Sequence, residues 1–119
     1  SHHGNRPARL GKIAKIDLFY MQHFARFLSK LDEMKDIDGS SILQNSMIVY
    51  GSGNADGNRH THDNLPVILA GGGGGTLTPG RYARMGGRPM SDLFLSMADR
   101  MGATGVDRIG DSVSRIADI

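Results

Sequence analysis

A long stretch of apolar side chains at helical spacing is the feature that most constrains the fold of this chain. Apolar residues recur at steps of three or four, at Ile13, Ile16, Tyr20, Phe24, Phe27, Leu31 and Met34. Because an α-helix turns once in about 3.6 residues, these side chains share one face, and the positions between them are mostly polar. The pattern predicts an amphipathic helix over residues 12–34. We expect His23, at the edge of this apolar face, to be a partly buried helix residue and not a metal ligand.

Two short apolar runs after this helix predict two strands. Residues 46–50 and 65–70 are rich in β-branched and other apolar side chains, and glycine follows each run. Neither run alternates between apolar and polar residues, which is typical of strands in a sheet that is covered on both faces. Both strands are therefore predicted to be buried. We expect the five glycines at 71–75 to allow tight turns or close approach of the backbone.

The sequence after the glycine run predicts a second helix. It covers residues 91–101, with Ser91 or Asp92 as its N-cap and Gly102 as its stop. Apolar residues at three-residue steps between 106 and 119 predict a short terminal helix. The order helix, strand, strand, helix is that of an α/β layer, so the predicted fold class is α/β.

Two strands are too few to complete a covered sheet. We therefore expect residues 1–119 to be the C-terminal segment of one larger domain, whose partner is the remainder of the parent chain or another copy. A chain of 119 residues has room for one domain and one core.

The composition narrows the possible partners and ligands. The 14 Lys and Arg residues against 12 Asp and Glu leave a net charge of +2, and the arginines are not interleaved with aromatic side chains. We expect no nucleic-acid partner. No apolar run approaches the roughly 20 residues that a membrane-spanning helix needs. Because the chain has no cysteine, any metal ion must be held by His, Asp, Glu or Asn side chains.

Histidines in two loop-like segments predict a metal site. Neutral imidazoles and carboxylates are ligands that suit zinc and similar divalent ions. The site requires that the fold bring residues 1–5 close to residues 54–63. The candidate metal ligands are His2, His3, Asn54, Asp56, His60 and His62.

Both segments also have an interpretation without a metal. Residues 54–63 fit a polar surface loop with solvated histidines, since the strong His-Glu-x-x-His zinc motif is absent from the sequence. His2 and His3 fit the remnant of a histidine tag, although Gly-Asn-Arg-Pro is an unusual continuation of one.

The glycine run offers a further alternative, an anion-binding module. It would combine the backbone N–H groups of residues 71–75 with Arg81, Arg84 and Arg88. The Gly-Lys-Ser/Thr ending of a P-loop is absent, and residues 76–80 do not begin a helix. This interpretation is therefore weaker than the metal site.

Three segments resemble the C-terminal third of a bacterial family known by its His-x-x-Ser-His-His motif. They are SHHGN at 1–5, YGSGNADGNRH at 50–60 and LPVILAGG at 65–72, and the resemblance spans nearly the whole chain. The resemblance implies a periplasmic or extracellular protein whose family has no established activity. It also implies that the first His of the motif lies upstream of Ser1.

That family is similar in turn to the alkaline phosphatase and sulfatase superfamily, whose members hold two divalent metals at the edge of an α/β sandwich. The similarity implies that this chain is the C-terminal part of such a sandwich. His2 corresponds to the His of the phosphatase Asp-x-x-x-His motif, and His60 corresponds to a late metal-binding His. The resemblance therefore implies that His2 and His60 share one metal ion, with zinc as the expected ion.

The chain departs from the superfamily at the second metal. Where the phosphatases place Asp-His after the first strand, this chain has Gly53 and Asn54, of which only Asn is a ligand, and a weak one. Asp56 or His62 is the available substitute. Two hypotheses stay open: a metal-dependent hydrolase of small phosphate or sulfate esters, and a non-catalytic binding or scaffold protein with a degenerate metal site.

Overall fold

The chain folds into a mixed α/β structure, here a computed structural model that describes residues 2–119. Ser1, which belongs to the first segment of the resemblance, lies outside the described residues. The elements are α1 Pro7–Glu33, β1 Ile48–Gly51, β2 Val67–Ala70, a single 3₁₀ turn Gly73–Gly75 and α2 Met90–Arg100. The predicted fold class is thus confirmed at the level of mixed α and β elements.

Helix α1 begins five residues before the predicted start at position 12, because Pro7 occupies its first turn. Proline is favoured there, since its fixed φ suits a helix and its missing N–H would have no helical partner. Within α1 the half-buried residues are Ile13, Phe24, Leu28 and Leu31, and none is fully buried. The prediction that His23 is partly buried is wrong: the residue is exposed, and the ring of Phe19 on the same helix lies against it with 4.3 Å between centroids.

Strands β1 and β2 pair antiparallel as the two strands of one sheet, with Ile48 opposite Ala70 and Gly51 opposite Val67. The prediction that both strands are buried is wrong, because their residues are half-buried or exposed. A sheet of two strands has two open edges and little area to cover. Helix α1 reaches it through Phe24, whose ring stacks on Tyr50 with 4.6 Å between centroids.

The glycine run at 71–75 crosses close to the segment before β1. Gly71 has φ +105°, and a Cβ atom there would lie 2.1 Å from the carbonyl oxygen of Ser46. A Cβ atom on Gly72 would lie 2.5 Å from the carbonyl oxygen of Gln44. The expectation that these glycines allow close backbone approach is confirmed.

The buried core lies between α2 and the C-terminal segment 106–119, which we call the strap. Leu95 and Ile119 are its buried apolar side chains, and Asp92 and Ser96 are buried polar ones. The predicted terminal helix is absent from the strap, because the backbone N–H groups of Val113, Ser114 and Ile116 donate to side chains of α2.

Asp92 holds the strap with its buried carboxylate. It accepts hydrogen bonds from the backbone N–H groups of Val113 at 2.8 Å and Ser114 at 3.2 Å, and Arg88 lies 3.5 Å away. Burial alone raises the pKa of the Asp92 carboxyl, but these hydrogen bonds and the arginine charge outweigh it and lower that pKa. Neither Ser91 nor Asp92 is the N-cap as predicted, since Pro89 occupies that position. Gly102, with φ +84°, follows the end of α2 as predicted.

The described chain is elongated, with principal extents of 50, 36 and 20 Å. Within residues 2–119, no helix combines the length and the apolar character needed to cross a membrane.

Candidate metal centre

The loop that joins β1 to β2 carries four of the six predicted ligands, and its own backbone holds it in shape. The N–H of His60 donates to the carbonyl of Asp56 at 2.7 Å, and the N–H of Ala55 donates to the carbonyl of Thr61 at 2.9 Å. The hydroxyl of Thr61 accepts the N–H of Asp56 at 3.1 Å. These bonds close residues 55–61 into a turn.

The Asp56 carboxylate stabilises this turn from inside. Its Oδ1 atom accepts the N–H of Asn58 at 2.8 Å and that of Arg59 at 3.4 Å, an Asx turn of the kind that Asp favours. The hydrogen bond from Asn58 is the main cause that lowers the pKa of Asp56; burial opposes it, and the charges of His3 and Arg59 add to the lowering. Its Oδ1 atom is therefore already used as an acceptor, whereas Oδ2 lies 3.7 Å from Nε of Arg59.

The N-terminal segment docks on this turn. The N–H of Gly4 donates to Oδ1 of Asn58 at 2.9 Å, and Nε2 of His3 lies 3.7 Å from Oδ1 of Asp56. Nδ1 of His3 accepts the N–H of Asn5 at 3.0 Å. Because both nitrogens of His3 face partners within the protein, His3 acts mainly as the contact between the two segments.

The docking brings the imidazoles of His2 and His60 into contact. Their ring centroids are 4.7 Å apart and the ring planes are inclined by 46°. Both residues are exposed to solvent, so an ion can reach them. His60 has φ +57°, an uncommon backbone conformation for a residue other than glycine, and such conformations concentrate at functional sites.

His62 lies at the base of the same loop. Its Nδ1 atom is 2.7 Å from the carbonyl oxygen of Gly53, and a carbonyl oxygen only accepts, so Nδ1 carries the proton. In the neutral ring this leaves Nε2 with a free lone pair. Metal-binding histidines commonly have this arrangement, in which the second nitrogen donates to a backbone carbonyl.

Asn54 contributes a buried oxygen with no hydrogen-bond donor. Among the buried side-chain atoms of residues 2–119, its Oδ1 is the one that lacks a partner. The neighbouring backbone is well tied, since the hydroxyl of Ser52 donates to the carbonyl of Asn54 at 2.8 Å. A buried acceptor without a donor is costly, by about 1–3 kcal/mol, unless a water molecule or a cation satisfies it.

The six predicted ligands thus lie in one region but do not form one compact cluster. His2 contacts His60, His3 contacts Asp56, and Asn54 and His62 lie near the base of the loop. Across residues 2–119, no three His, Asp or Glu side chains are grouped so that they could hold a metal ion together. The arrangement offers two adjacent imidazoles and further oxygen and nitrogen donors nearby.

Two residues of this region were missed by sequence reasoning. Asn58 receives the N-terminal segment, and Arg59 places its Nε atom 3.7 Å from Oδ2 of Asp56. The run Asp56-Gly57-Asn58 is a turn sequence, which is the signal that predicts a tightly closed loop here.

The alternative anion-binding arginines are largely engaged within the protein. Arg81 pairs with Asp118, and Arg88 pairs with Asp92 while also reaching the carbonyl of Arg115 at 3.4 Å. Two of the three arginines thus balance carboxylates of the strap and α2, which weakens the anion-binding interpretation.

Comparison of the chain with protein-family models, with curated proteins and with solved structures finds no match.

Proposed function

We propose that this chain binds a divalent metal ion, with zinc as the expected ion, through His2 and His60. The observation that carries the proposal is the contact between these two imidazoles, 4.7 Å apart at their centroids and contributed by distant parts of the sequence. Neutral imidazole is among the ligands that zinc prefers.

The two imidazoles supply only some of the ligands that a zinc site needs. A structural zinc site has four protein ligands, whereas a catalytic one has about three and keeps a position for water or substrate. Nε2 of His62 and Oδ1 of Asn54 are the further donors in the same loop. We expect two imidazoles alone to bind weakly, and any additional ligand to raise the affinity.

Hydrolysis of a small phosphate or sulfate ester is the reaction that the similarity to the alkaline phosphatase and sulfatase superfamily suggests. A bound metal would polarise the ester oxygen. The chain's own contribution is to hold His2 and His60 together, through the contacts of His3 and Gly4 with the loop. As for the members of the family it resembles, we propose a periplasmic or extracellular setting for this protein.

A non-catalytic binding or scaffold role is the second candidate, and one observation favours it. The Asp56 carboxylate, the best substitute for the missing ligand of a second metal, already accepts the N–H groups of Asn58 and Arg59 through Oδ1 and has Nε of Arg59 3.7 Å from Oδ2. In this role a single metal ion holds the N-terminal segment against the β1–β2 loop, and no second metal ion binds a substrate.

Zinc binding by the purified chain tests the proposal. Isothermal titration should show binding that His2→Ala and His60→Ala each weaken by at least tenfold, with His23→Ala as the control because His23 is exposed on α1. Binding should also weaken as the pH is lowered, because the ligand imidazoles must be neutral. Equal zinc affinity in the wild type, His2→Ala and His60→Ala would remove both residues from the site.

A panel of phosphate and sulfate esters separates the two candidates. Turnover that chelation abolishes, and that His60→Ala lowers, supports the hydrolase. Zinc binding without turnover of any ester supports the scaffold.

A further inference from the structure

One flank of α1 exposes a row of large apolar side chains. Ile16, Phe19, Tyr20 and Phe27 on α1, and Met34 just after its end, are between 46% and 55% exposed, although α1 also contacts Tyr50 through Phe24 and half-buries Leu28 and Leu31. We call these five residues the exposed stripe. A contiguous apolar surface of this kind on a folded protein marks a place where another surface docks.

The spacing within the exposed stripe fits a helix as the partner. Tyr20 and Phe27 are seven residues apart on α1, Ile16 precedes Tyr20 by four, and Met34 follows Phe27 by seven, one residue past the end of the helix. Apolar residues in a seven-residue repeat keep one seam of a helix facing a second helix over several turns.

We propose that the exposed stripe is the interface of an antiparallel homodimer, in which α1 of one copy packs against α1 of another. With the two-fold axis near His23, Tyr20 of one copy lies opposite Phe27 of the other. The existing contact between the rings of Phe19 and His23, 4.3 Å between centroids, then lies at the centre of the interface.

Charge complementarity selects the antiparallel orientation. Lys15 and Glu33 are both exposed and lie about five helical turns apart, so they project from the same flank of the exposed stripe. An antiparallel pair places Lys15 of each copy beside Glu33 of the other, whereas a parallel pair places these flanks on opposite sides of the seam, so that Lys15 and Glu33 do not meet. The antiparallel arrangement therefore gains two Lys15–Glu33 ion pairs that the parallel one lacks.

The area of the exposed stripe determines the affinity that we expect for the dimer. The three aromatic rings and two aliphatic side chains, about half exposed in each copy, leave an apolar area on the order of 1,000 Å² for the pair. Interfaces of this size are at the small end of the specific range. We therefore expect a dimer that dissociates in the micromolar range and not an obligate one.

Analytical ultracentrifugation over a range of concentrations tests the dimer and its orientation. Lys15→Glu should raise the dissociation constant about 3- to 10-fold, because two ion pairs become two repulsive contacts. The double variant Lys15→Glu with Glu33→Lys should restore it. Asp32→Lys, a charge reversal on the opposite side of α1, is the matched control and should leave dimerisation unchanged.

Cysteine cross-linking gives an independent readout, since the chain has no native cysteine. His23→Cys should form a covalent dimer on oxidation, because the two copies of residue 23 lie near the axis. Lys15→Cys should not, because its two copies are then roughly 25 Å apart along the interface. A chain that stays monomeric at high concentration, or Lys15→Cys that cross-links as readily as His23→Cys, overturns the proposal.

Discussion

Individual side chains of the β1–β2 loop and of the N-terminal segment divide into those that hold the two together and those that remain free for a ligand. Asp56 and His3 belong to the first group, because their polar atoms are engaged with neighbouring backbone and with each other. The exposed imidazoles of His2 and His60 belong to the second. The free pair depends on the engaged pair, since the contact of His3 with Asp56 helps to dock the N-terminal segment.

Replacing Asp56 should therefore affect zinc binding without removing a direct ligand. In Asp56→Ala the N–H groups of Asn58 and Arg59 lose their acceptor and His3 loses its charged partner. We expect zinc affinity to fall, but by less than in His60→Ala. Isothermal titration of both variants checks the order, and an Asp56→Ala effect larger than that of His60→Ala would make Asp56 the main ligand.

Acidification should loosen the same turn. The folded protein lowers the pKa of Asp56, so the carboxylate's contribution is fully present above the usual Asp pKa and is lost as the pH falls through the lowered value. The backbone amide of Asn58, which donates to that carboxylate, should exchange faster only in this acidic range. Its exchange, corrected for the intrinsic pH dependence, is measurable by NMR. Protection of the Asn58 amide that is unchanged down to pH 2 would contradict this prediction.

The residue types of the site were predictable, but their pairing was not. His, Asn and Asp in loops indicate metal chemistry, and all six predicted residues lie in the region where the N-terminal segment meets the loop. Which imidazole is free depends on hydrogen bonds such as that of Nδ1 of His62 to Gly53, and the sequence contains no periodic signal for such a bond.

Side chains of α2 make hydrogen bonds to backbone groups of the strap. These bonds take the place of the backbone hydrogen bonds that a regular helix or sheet would supply. Asp92, Ser96 and Arg100 recur every four residues on one face of α2, and each binds backbone groups of the strap. The hydroxyl of Ser96 accepts the N–H of Ile116 at 2.7 Å while it donates to the carbonyl of Asp92. The strap is thus fixed in an irregular conformation by side chains.

Removal of the Ser96 hydroxyl should release part of the strap. Ser96→Ala leaves the half-buried N–H of Ile116 without its acceptor, at a cost of about 1–3 kcal/mol in unfolding free energy. Ser29→Ala is the matched control, because Ser29 makes the same bond to the carbonyl four residues earlier but on exposed α1. Urea denaturation and exchange of the Ile116 amide measure the effect. Equal stability of the two variants would show that the strap does not depend on Ser96.

The close approach of the backbone at Gly71 can be tested by comparing the stability of two glycine variants. Gly71→Ala combines a positive φ with a Cβ atom 2.1 Å from Ser46, so the backbone must move, and we expect a loss of roughly 3 kcal/mol or more. Gly74→Ala has a positive φ but nothing within 4 Å, and should cost only about 1–2 kcal/mol. Chemical denaturation of both variants checks the difference. Equal losses would mean that the close approach is not fixed in solution.

These elements differ in how far the sequence predicts them. The seven apolar residues from Ile13 to Met34 predicted α1 well, because helical periodicity is a local signal. The burial of β1 and β2 was predicted wrongly, since burial depends on what covers a strand. The strap was predicted as a helix from three apolar residues, because the competing bonds to Asp92 and Ser96 come from a distant segment.

The molecule as a whole has a small core for its length. Its radius of gyration is 16.6 Å, whereas a compact chain of this length would have about 14 Å. Leu95 and Ile119 are the buried apolar side chains within residues 2–119, while much of α1 is exposed. A partner surface on α1 and a ligand at the loop are therefore expected to contribute a large share of the stability.

Zinc should raise the stability of the whole chain by mass action. A ligand that binds the folded state alone at about 100 times its dissociation constant stabilises that state by about 2.7 kcal/mol. The midpoint of thermal unfolding should rise with zinc in the wild type and much less in the double variant His2→Ala with His60→Ala. An equal rise in both would mean that zinc binds elsewhere.

The most direct test of the metal centre is anomalous scattering at the zinc edge from crystals of the chain grown with zinc. We predict a peak between the imidazoles of His2 and His60, with the N-terminal segment docked on the β1–β2 loop. No peak at that position, with the two histidines apart and in contact with solvent, would contradict the account.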